Sequence, residues 1–306
     1  MHRAAEAGCA RSATPRLPKP PSTSLGATDA YCPFAVNNIT TRTFMIDIRL
    51  SSALAKSSKV AAVTFGFWLI KVLATTLGET GGDWVSMSLQ LGYLIGSAVF
   101  AAIFVALVWS QVKASQFQPA LFWATIVATT TLGTTLADFA DRSLGIGYPG
   151  GVAIVASLLV VSLLVWHWSE GTVSVASIST PKAEWFYWCT ILFSQTLGTA
   201  LGDWLAVTDR GGLGLGYEYG AIVFGAGLAI VAALYFWTQI SHTALFWAAF
   251  VLTRPLGATV GDLLDKPVAN GGLNFSRWVA SLVLLASIVA CIAIIPQRAA
   301  KKGNAA

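Results

Sequence analysis

Eight apolar stretches of membrane-spanning length follow one another from about residue 60 onward. They lie near residues 60–84, 90–111, 120–141, 147–168, 184–206, 217–240, 244–264 and 276–296. About 20 apolar residues suffice to cross the hydrocarbon core as an α-helix. The chain is 55% hydrophobic and 11% charged, with a mean hydropathy of +0.67, whereas soluble domains carry about 25% charged residues. The sequence therefore predicts an all-α integral membrane protein with eight transmembrane helices.

The two ends of the chain differ from this membrane domain, which we place at residues 60–297. Residues 1–59 include the stretch RSATPRLPKPPSTSLGATDAYCP, which is rich in Pro, Ser, Thr and basic residues. Such a composition is typical of disorder, so we predict a disordered or weakly structured segment there and a basic tail over residues 298–306. Met45 also fits a true start, which leaves open whether residues 1–44 belong to the mature protein.

Basic residues concentrate where the membrane domain begins and ends. Cytoplasmic loops are enriched in Lys and Arg, and an even number of spans returns the chain to the side from which it started. We therefore predict that both termini are cytoplasmic, and the net charge of +5 indicates topology rather than a nucleic-acid partner. The flanking basic residues are Arg49, Lys56 and Lys59 before the first helix and Arg298, Lys301 and Lys302 after the last.

One nine-residue motif occurs four times. It reads TLGETGGDW at 76–84, TLGTTLADF at 131–139, TLGTALGDW at 196–204 and PLGATVGDL at 255–263. In each copy a Trp stands nine residues before the motif Leu and an Asp six residues after it, and two conserved offsets in four copies indicate an internal repeat. The unit is two helices joined by a short loop, with repeats 1 to 4 at about residues 60–112, 120–169, 184–240 and 244–297. The reference leucines are Leu77, Leu132, Leu197 and Leu256.

This pattern resembles the bacterial multi-pass membrane proteins built from four tandem copies of a two-helix repeat of unknown function. The resemblance covers nearly everything after residue 60 and implies an eight-helix fold in a bacterial cytoplasmic membrane, with no settled biochemical role. Because every repeat has two spans, all four copies insert in the same orientation. We expect them to be arranged around a pseudo-symmetry axis along the membrane normal.

Small residues stand one and five places after each reference Leu. This spacing lets two helices approach closely in lipid, where packing drives helix association. We therefore predict a helix-packing seam on each first helix of a repeat. The pairs are Gly78 and Gly82, Gly133 and Ala137, Gly198 and Gly202, and Gly257 and Gly261.

A second face of the same helices carries polar residues at four-residue spacing, two before, two after and six after the reference Leu. Residues four apart lie on one helix face, and we call this face the polar stripe. It neighbours the seam, so we expect it to point into the bundle. The stripes are Thr75, Glu79 and Asp83; Thr130, Thr134 and Asp138; Gln195, Thr199 and Asp203; and Arg254, Ala258 and Asp262.

The stripe acids need compensation, because each carboxylate costs about 2.5–3.5 kcal/mol at the centre of a membrane helix. Lys71, which extends the first stripe, and Arg254 are the predicted compensating bases, and a bound divalent cation or protons would neutralise the rest. Oxygen ligands suit hard cations such as Mg, Ca or Mn. The candidate metal ligands are Glu79, Asp83, Asp138, Asp203 and Asp262, and the candidate pathway-lining residues are Lys71, Thr75, Thr130, Thr134, Gln195, Thr199 and Arg254.

Two functions fit these residues. The first is a permease or channel for a small cation, a hard divalent metal, protons or both. The second is a non-transporting membrane protein, such as a sensor, anchor or assembly factor, whose acids form buried structural pairs. The chain contains no GxSxG, HExxH or P-loop motif, so we do not expect an enzyme. The expected partners are the bilayer and a small cation or proton.

Two acids are each followed directly by a base, and we interpret Asp141-Arg142 and Asp265-Lys266 as loop or interface pairs. The sequence leaves the oligomeric state open.

Overall fold

The computed structural model of the protein describes residues 57–301. Over that range the chain forms eight long α-helices, one odd-numbered and one even-numbered helix in each repeat, as the sequence predicts. The helices are α1 (Phe65–Asp83), α2 (Gly92–Lys113), α3 (Pro119–Asp138), α4 (Tyr148–Glu170), α5 (Pro181–Ala206), α6 (Tyr217–Trp237), α7 (His242–Asp265) and α8 (Arg277–Ile294). Two short strands, β1 (Ser57–Ala61) and β2 (Ala299–Lys301), stand at the two ends of the described chain.

Six of these helices are long and apolar enough to cross a membrane, namely α2, α3, α4, α6, α7 and α8. The other two, α1 and α5, are less apolar, and each holds three charged residues. Lys71, Glu79 and Asp83 all lie within α1. The prediction of a helical, apolar, membrane-type protein is thus confirmed, while α1 and α5 fall short of spanning helices by composition.

The four odd-numbered helices, called the inner helices below, form a closed ring. Each contacts the inner helix of the next repeat, in the order α1, α3, α5, α7 and back to α1. The even-numbered helices, called the outer helices, each pack against the inner helix of the next repeat. The pairs are α2 with α3, α4 with α5, α6 with α7, and α8 with α1. This placement follows from composition, since the outer helices are apolar on all sides and leave most of that surface exposed, whereas the polar stripes lie inside the ring.

The seam predicted from the small residues is the contact that closes this ring. At every junction, the glycine one place after the reference Leu lies against the first polar-stripe residue of the next repeat. A Cβ atom at these glycines would overlap that residue, so only glycine lets the helices come this close. The four contacts are Gly78 with Thr130, Gly133 with Gln195, Gly198 with Arg254 and Gly257 with Thr75.

Aromatic side chains fill the ring near the N-terminal ends of the inner helices. The residue ten places before each reference Leu is aromatic and buried, and the neighbouring Trp packs between helices. The ring centroids of Phe67 and Trp123 are 5.5 Å apart, and those of Phe122 and Trp188 are 5.8 Å apart. The four aromatic residues at this level are Phe67, Phe122, Tyr187 and Phe246, and three of the repeat tryptophans, Trp123, Trp188 and Trp247, are buried too. These three tryptophans therefore pack in the core rather than anchor the chain at a lipid interface.

Strands β1 and β2 pair in an antiparallel sheet, so the two ends of the described chain meet. Residues 57–59, the end of the segment predicted to be disordered or weakly structured, belong to β1. Their placement has a physical cause, because the Lys59 ammonium lies 2.7 Å from the Glu184 carboxylate and Ser58 donates a hydrogen bond to the Val175 carbonyl at 2.8 Å. The predictions made for residues 1–56 and 302–306 lie outside the described residues.

The substitution Gly133→Ala tests whether the close helix contact at the seam stabilises the fold. The new Cβ would lie 2.9 Å from the backbone carbonyl carbon of Gln195, so two helices must move apart. Overpacking of this kind costs about 1–3 kcal/mol, and we expect the thermal unfolding midpoint of the purified protein in detergent to fall accordingly. The matched control is Gly225→Ala on outer helix α6, where nothing lies within 4 Å of the added atom. This control should leave the midpoint unchanged or raise it, and equal losses in both variants would contradict the seam.

Candidate functional site

The structure brings the polar stripes of all four repeats into the interior of the inner-helix ring. Every side chain that the sequence named as a ligand or pathway residue is buried there. The buried set is Lys71, Thr75, Glu79, Asp83, Thr130, Thr134, Asp138, Gln195, Thr199, Asp203, Arg254 and Asp262. Burial alone assigns no role to them, so their partners decide what the site can do.

Arg254 connects all four repeats at the centre of the ring. Its Nη2 atom donates to the Glu79 carboxylate of repeat 1 at 2.9 Å, and to the hydroxyls of Thr134 in repeat 2 and Thr199 in repeat 3. Its Nη1 atom donates to the Thr75 carbonyl at 3.3 Å. The three acceptor side chains each stand two residues after the reference Leu of their repeat. One guanidinium therefore links repeats 1, 2 and 3 to repeat 4 in the interior of the ring.

Lys71 does not compensate an acid as the sequence predicted. Its ammonium is fully buried and meets no hydrogen-bond acceptor among residues 57–301. Instead it lies 4.1 Å from the centroid of the Phe250 ring, which belongs to the same level of repeat 4. A cation over an aromatic face is stabilised by the ring quadrupole, and no hydrogen bond joins Lys71 to a stripe acid within the described residues. Of the two predicted compensators, only Arg254 contacts a carboxylate.

The four stripe aspartates form two pairs, each held by a different basic side chain. One pair, Asp138 and Asp203, is held by Arg142. The Arg142 Nε atom lies 2.8 Å from Asp138 and its Nη2 atom 2.9 Å from Asp203, while Nη1 donates to the Tyr93 hydroxyl at 3.3 Å. A guanidinium suits this task, since it presents several donors in a rigid plane.

The second pair, Asp83 and Asp262, is held by Lys266. The Lys266 ammonium contacts Asp83, lies 2.9 Å from Asp262 and is 4.0 Å from Asp265. Arg277 adds a second positive charge from the start of α8, with its Nε atom 3.1 Å from Asp265. We call Asp83, Asp262, Asp265 and Lys266 the Lys266 cluster. Burial of the ammonium lowers the pKa of Lys266, but the three carboxylates outweigh that effect and hold the pKa well above its ordinary value.

Sequence reasoning missed these partners because it placed Arg142 and Lys266 in loops. Both stand four residues after a stripe aspartate, and that i,i+4 spacing was the available signal. The chain stays helical beyond Asp83 and Asp138 through π-helical turns, Trp84–Ser88 and Phe139–Ser143, so these stripe aspartates do not end their helices. Such π-helical turns are frequent at functional sites.

Asp141 and Asp265 show how the two halves of the site differ. They occupy the same place in repeats 2 and 4 and are both buried. Asp265 contacts Arg277, whereas both Asp141 oxygens lack a hydrogen-bond donor within the described part of the chain. The interpretation of Asp141-Arg142 as a pair is wrong in detail, because Arg142 contacts Asp138 and Asp203 instead.

These features define a class of protein: a helical, apolar, membrane-type chain of four tandem repeats with a buried ionic core. Four consecutive segments match the family model described as Repeat of Unknown Function (DUF347), at residues 66–117, 121–172, 186–241 and 245–296. The matches cover more than half of the chain, and the protein belongs to this repeat family. No curated protein and no solved structure matches the chain.

The Arg254–Glu79 pair generates a quantitative prediction. Arg254→Met leaves a carboxylate buried without its partner, and breaking a buried pair from one side costs about 3–5 kcal/mol of unfolding free energy. Glu79→Gln should also destabilise, while the double variant should recover part of the loss because neither charge remains. Unfolding of all four forms in mixed micelles gives the coupling energy, which we expect to be about 2 kcal/mol or more.

The control for this cycle is the exposed pair Asp209–Arg210, whose side chains are 55% and 43% exposed. A cycle with Asp209→Asn and Arg210→Met should give a coupling of about 0–1 kcal/mol, as surface ion pairs do. A coupling at the core pair no larger than at this surface pair would contradict the central position of Arg254.

Proposed function

We propose that the protein is a membrane carrier for a small hard cation, a divalent metal, protons or both, which binds at the buried carboxylates of the inner-helix ring. One observation carries this proposal: the core holds more acids than bases among the described residues. Seven acidic side chains, Glu79, Asp83, Asp138, Asp141, Asp203, Asp262 and Asp265, are buried there, against the five basic side chains Lys71, Arg142, Arg254, Lys266 and Arg277. Buried charge of one sign is expensive, so bound cations or protons would stabilise this core.

The carrier we propose crosses the membrane eight times, with its four repeats in one orientation around an axis along the membrane normal. The cyclic packing supports this arrangement, because every inner helix contacts both neighbouring inner helices. In that ring five charged side chains of α1 and α5 are buried, so they do not prevent these helices from spanning; they are Lys71, Glu79, Asp83, Glu184 and Asp203. Membrane proteins place ionisable residues in the bundle interior for the same reason.

Both termini lie on one side of the membrane in this proposal, which the pairing of β1 with β2 supports. We infer that this side is the cytoplasm of a bacterial cell, because basic residues flank both ends of the membrane domain and cytoplasmic segments carry an excess of them. The stripe aspartates then lie toward the opposite face.

A carrier fits the core better than a permanently open channel does. A cation passing along the ring axis would meet the Arg254 guanidinium, which repels it, and then the aromatic layer of Phe67, Phe122, Tyr187 and Phe246, which are all buried. Both barriers must move for an ion to cross. Carriers alternate between states in which the site opens to one side at a time, and we infer no enzymatic step.

The non-transporting alternative also has an observation in its favour. Arg142 and Lys266 each contact two stripe aspartates, so these four acids can serve as structural links between repeats. A sensor, an anchor or an assembly factor needs nothing more from them. The two functions differ in whether a cation crosses the bilayer.

Uptake of Mn²⁺ into liposomes that contain the purified protein separates the two, measured with and without a pH gradient. The carrier predicts saturable uptake that falls about tenfold or more in Glu79→Gln or Asp83→Asn, a loss equivalent to about 1.4 kcal/mol. Neutralising a core carboxylate removes either a ligand or a proton acceptor. The control Asp209→Asn changes an exposed loop acid and should transport like the unaltered protein. No uptake of Mn²⁺, Mg²⁺ or Ca²⁺, or equal uptake by folded core variants, would favour the non-transporting protein.

A further inference from the structure

The Lys266 cluster has the geometry of a divalent-cation site that is filled by a side chain. One carboxylate oxygen from each of Asp83, Asp262 and Asp265 lies within 4.8 Å of the other two. Oxygen ligands bind Ca²⁺ at about 2.3–2.6 Å, so two oxygens on opposite sides of one ion are separated by about this distance. Between these carboxylates lies the Lys266 ammonium, 2.9 Å from Asp262.

The carboxylates have unused capacity for a ligand. Asp83 and Asp265 each keep a buried Oδ1 atom that accepts no hydrogen bond from any residue in the described range, whereas the Asp262 Oδ1 lies 2.9 Å from the Lys266 ammonium. Among residues 57–301, two basic side chains contact these three acids, Lys266 and Arg277, which leaves one negative charge over within that range. Unpaired carboxylate oxygens in a buried place call for a further cation or for protons.

The chemistry of residue 266 fits a displaceable occupant. At the equivalent position of repeat 2, Arg142 forms ion pairs with two aspartates through two different nitrogen atoms. A lysine has instead one compact charge on a flexible stem. Lys266 stands at the end of α7 and is followed by exposed residues, Pro267 to Asn270, so its ammonium can turn outward while its backbone stays in place.

We propose that Asp83, Asp262 and Asp265 form a site for a hard divalent cation and that the Lys266 ammonium is its built-in competitor, which leaves the site when the ion enters. This inference rests on the proposed cation-carrier function and names its binding site. Of the candidate ligands predicted from the sequence, the site uses Asp83 and Asp262, and it adds Asp265.

Binding of Mn²⁺ to the purified full chain in detergent, followed by the electron paramagnetic resonance of the free ion, tests the proposal without any transport. Lys266→Met removes the competitor at similar length, and we expect it to bind one Mn²⁺ per chain about tenfold or more tightly than the unaltered protein does. Adding Asp265→Asn to Lys266→Met should abolish this gain. The control Lys182→Met changes a lysine that is 61% exposed and should bind like the unaltered protein.

A second measurement keeps the test decisive if Lys266→Met does not fold. In the unaltered protein, saturating Mn²⁺ should increase the acetylation of the Lys266 amine by acetic anhydride, measured by mass spectrometry, while labelling of Lys182 stays constant. Labelling of Lys266 that is unchanged or reduced by Mn²⁺, or a folded Lys266→Met variant that gains no affinity, would overturn the proposal. Binding as described without any transport would contradict the carrier and leave this site standing.

Discussion

The rest of the structure depends on one contact between neighbouring repeats. In this contact, the first polar-stripe residue of one repeat packs against a glycine of the preceding repeat. It recurs at all four junctions of the inner-helix ring, including Gly257 with Thr75, where the last repeat meets the first. Because glycine has no side chain, the inner helices approach closely enough for their stripes to share one interior. The ring, the burial of the charged residues and the outward position of the apolar helices all follow from this close approach.

The interior combines features that repeat to different degrees. The glycine contact and the stripe aspartate occur in every repeat, the pattern Asp-x-x-Asp followed by a base occurs only in repeats 2 and 4, and the Glu79–Arg254 pair occurs once. Each base of repeats 2 and 4 contacts an aspartate of its own repeat and one of the next. Four similar copies thus build a core with two unlike halves: within the described residues, Asp141 has no donor in one half, and Asp265 contacts Arg277 in the other. The single ion site that we propose depends on this asymmetry.

Much of this architecture could be predicted from the sequence, because the repeat fixed the offsets of Trp, Gly and Asp before any contact was known. The eight helices, the seam and the inward stripes follow from helical spacing alone. Contacts between repeats do not, since spacing within a helix says nothing about which helix comes next to it. Arg142 and Lys266 were assigned to loops for that reason, although each stands four residues after an aspartate it contacts. The sequence also predicts that Lys71 compensates an acid, but Lys71 packs against Phe250, which occupies the same repeat position in repeat 4.

The central claim is that the last repeat packs on the first and so closes the ring, and a covalent link between these two repeats is the most direct measurement. Thr80 in α1 and Ser281 in α8 have hydroxyl oxygens 2.9 Å apart, although 201 residues separate them in sequence. In a chain whose native cysteines are replaced by serine, Thr80→Cys with Ser281→Cys should form an intramolecular disulfide under mild oxidation, seen as faster migration in denaturing gels and an unchanged monomer mass. Only cross-linked dimers, or no cross-link in a folded protein, would show that the last repeat does not pack on the first.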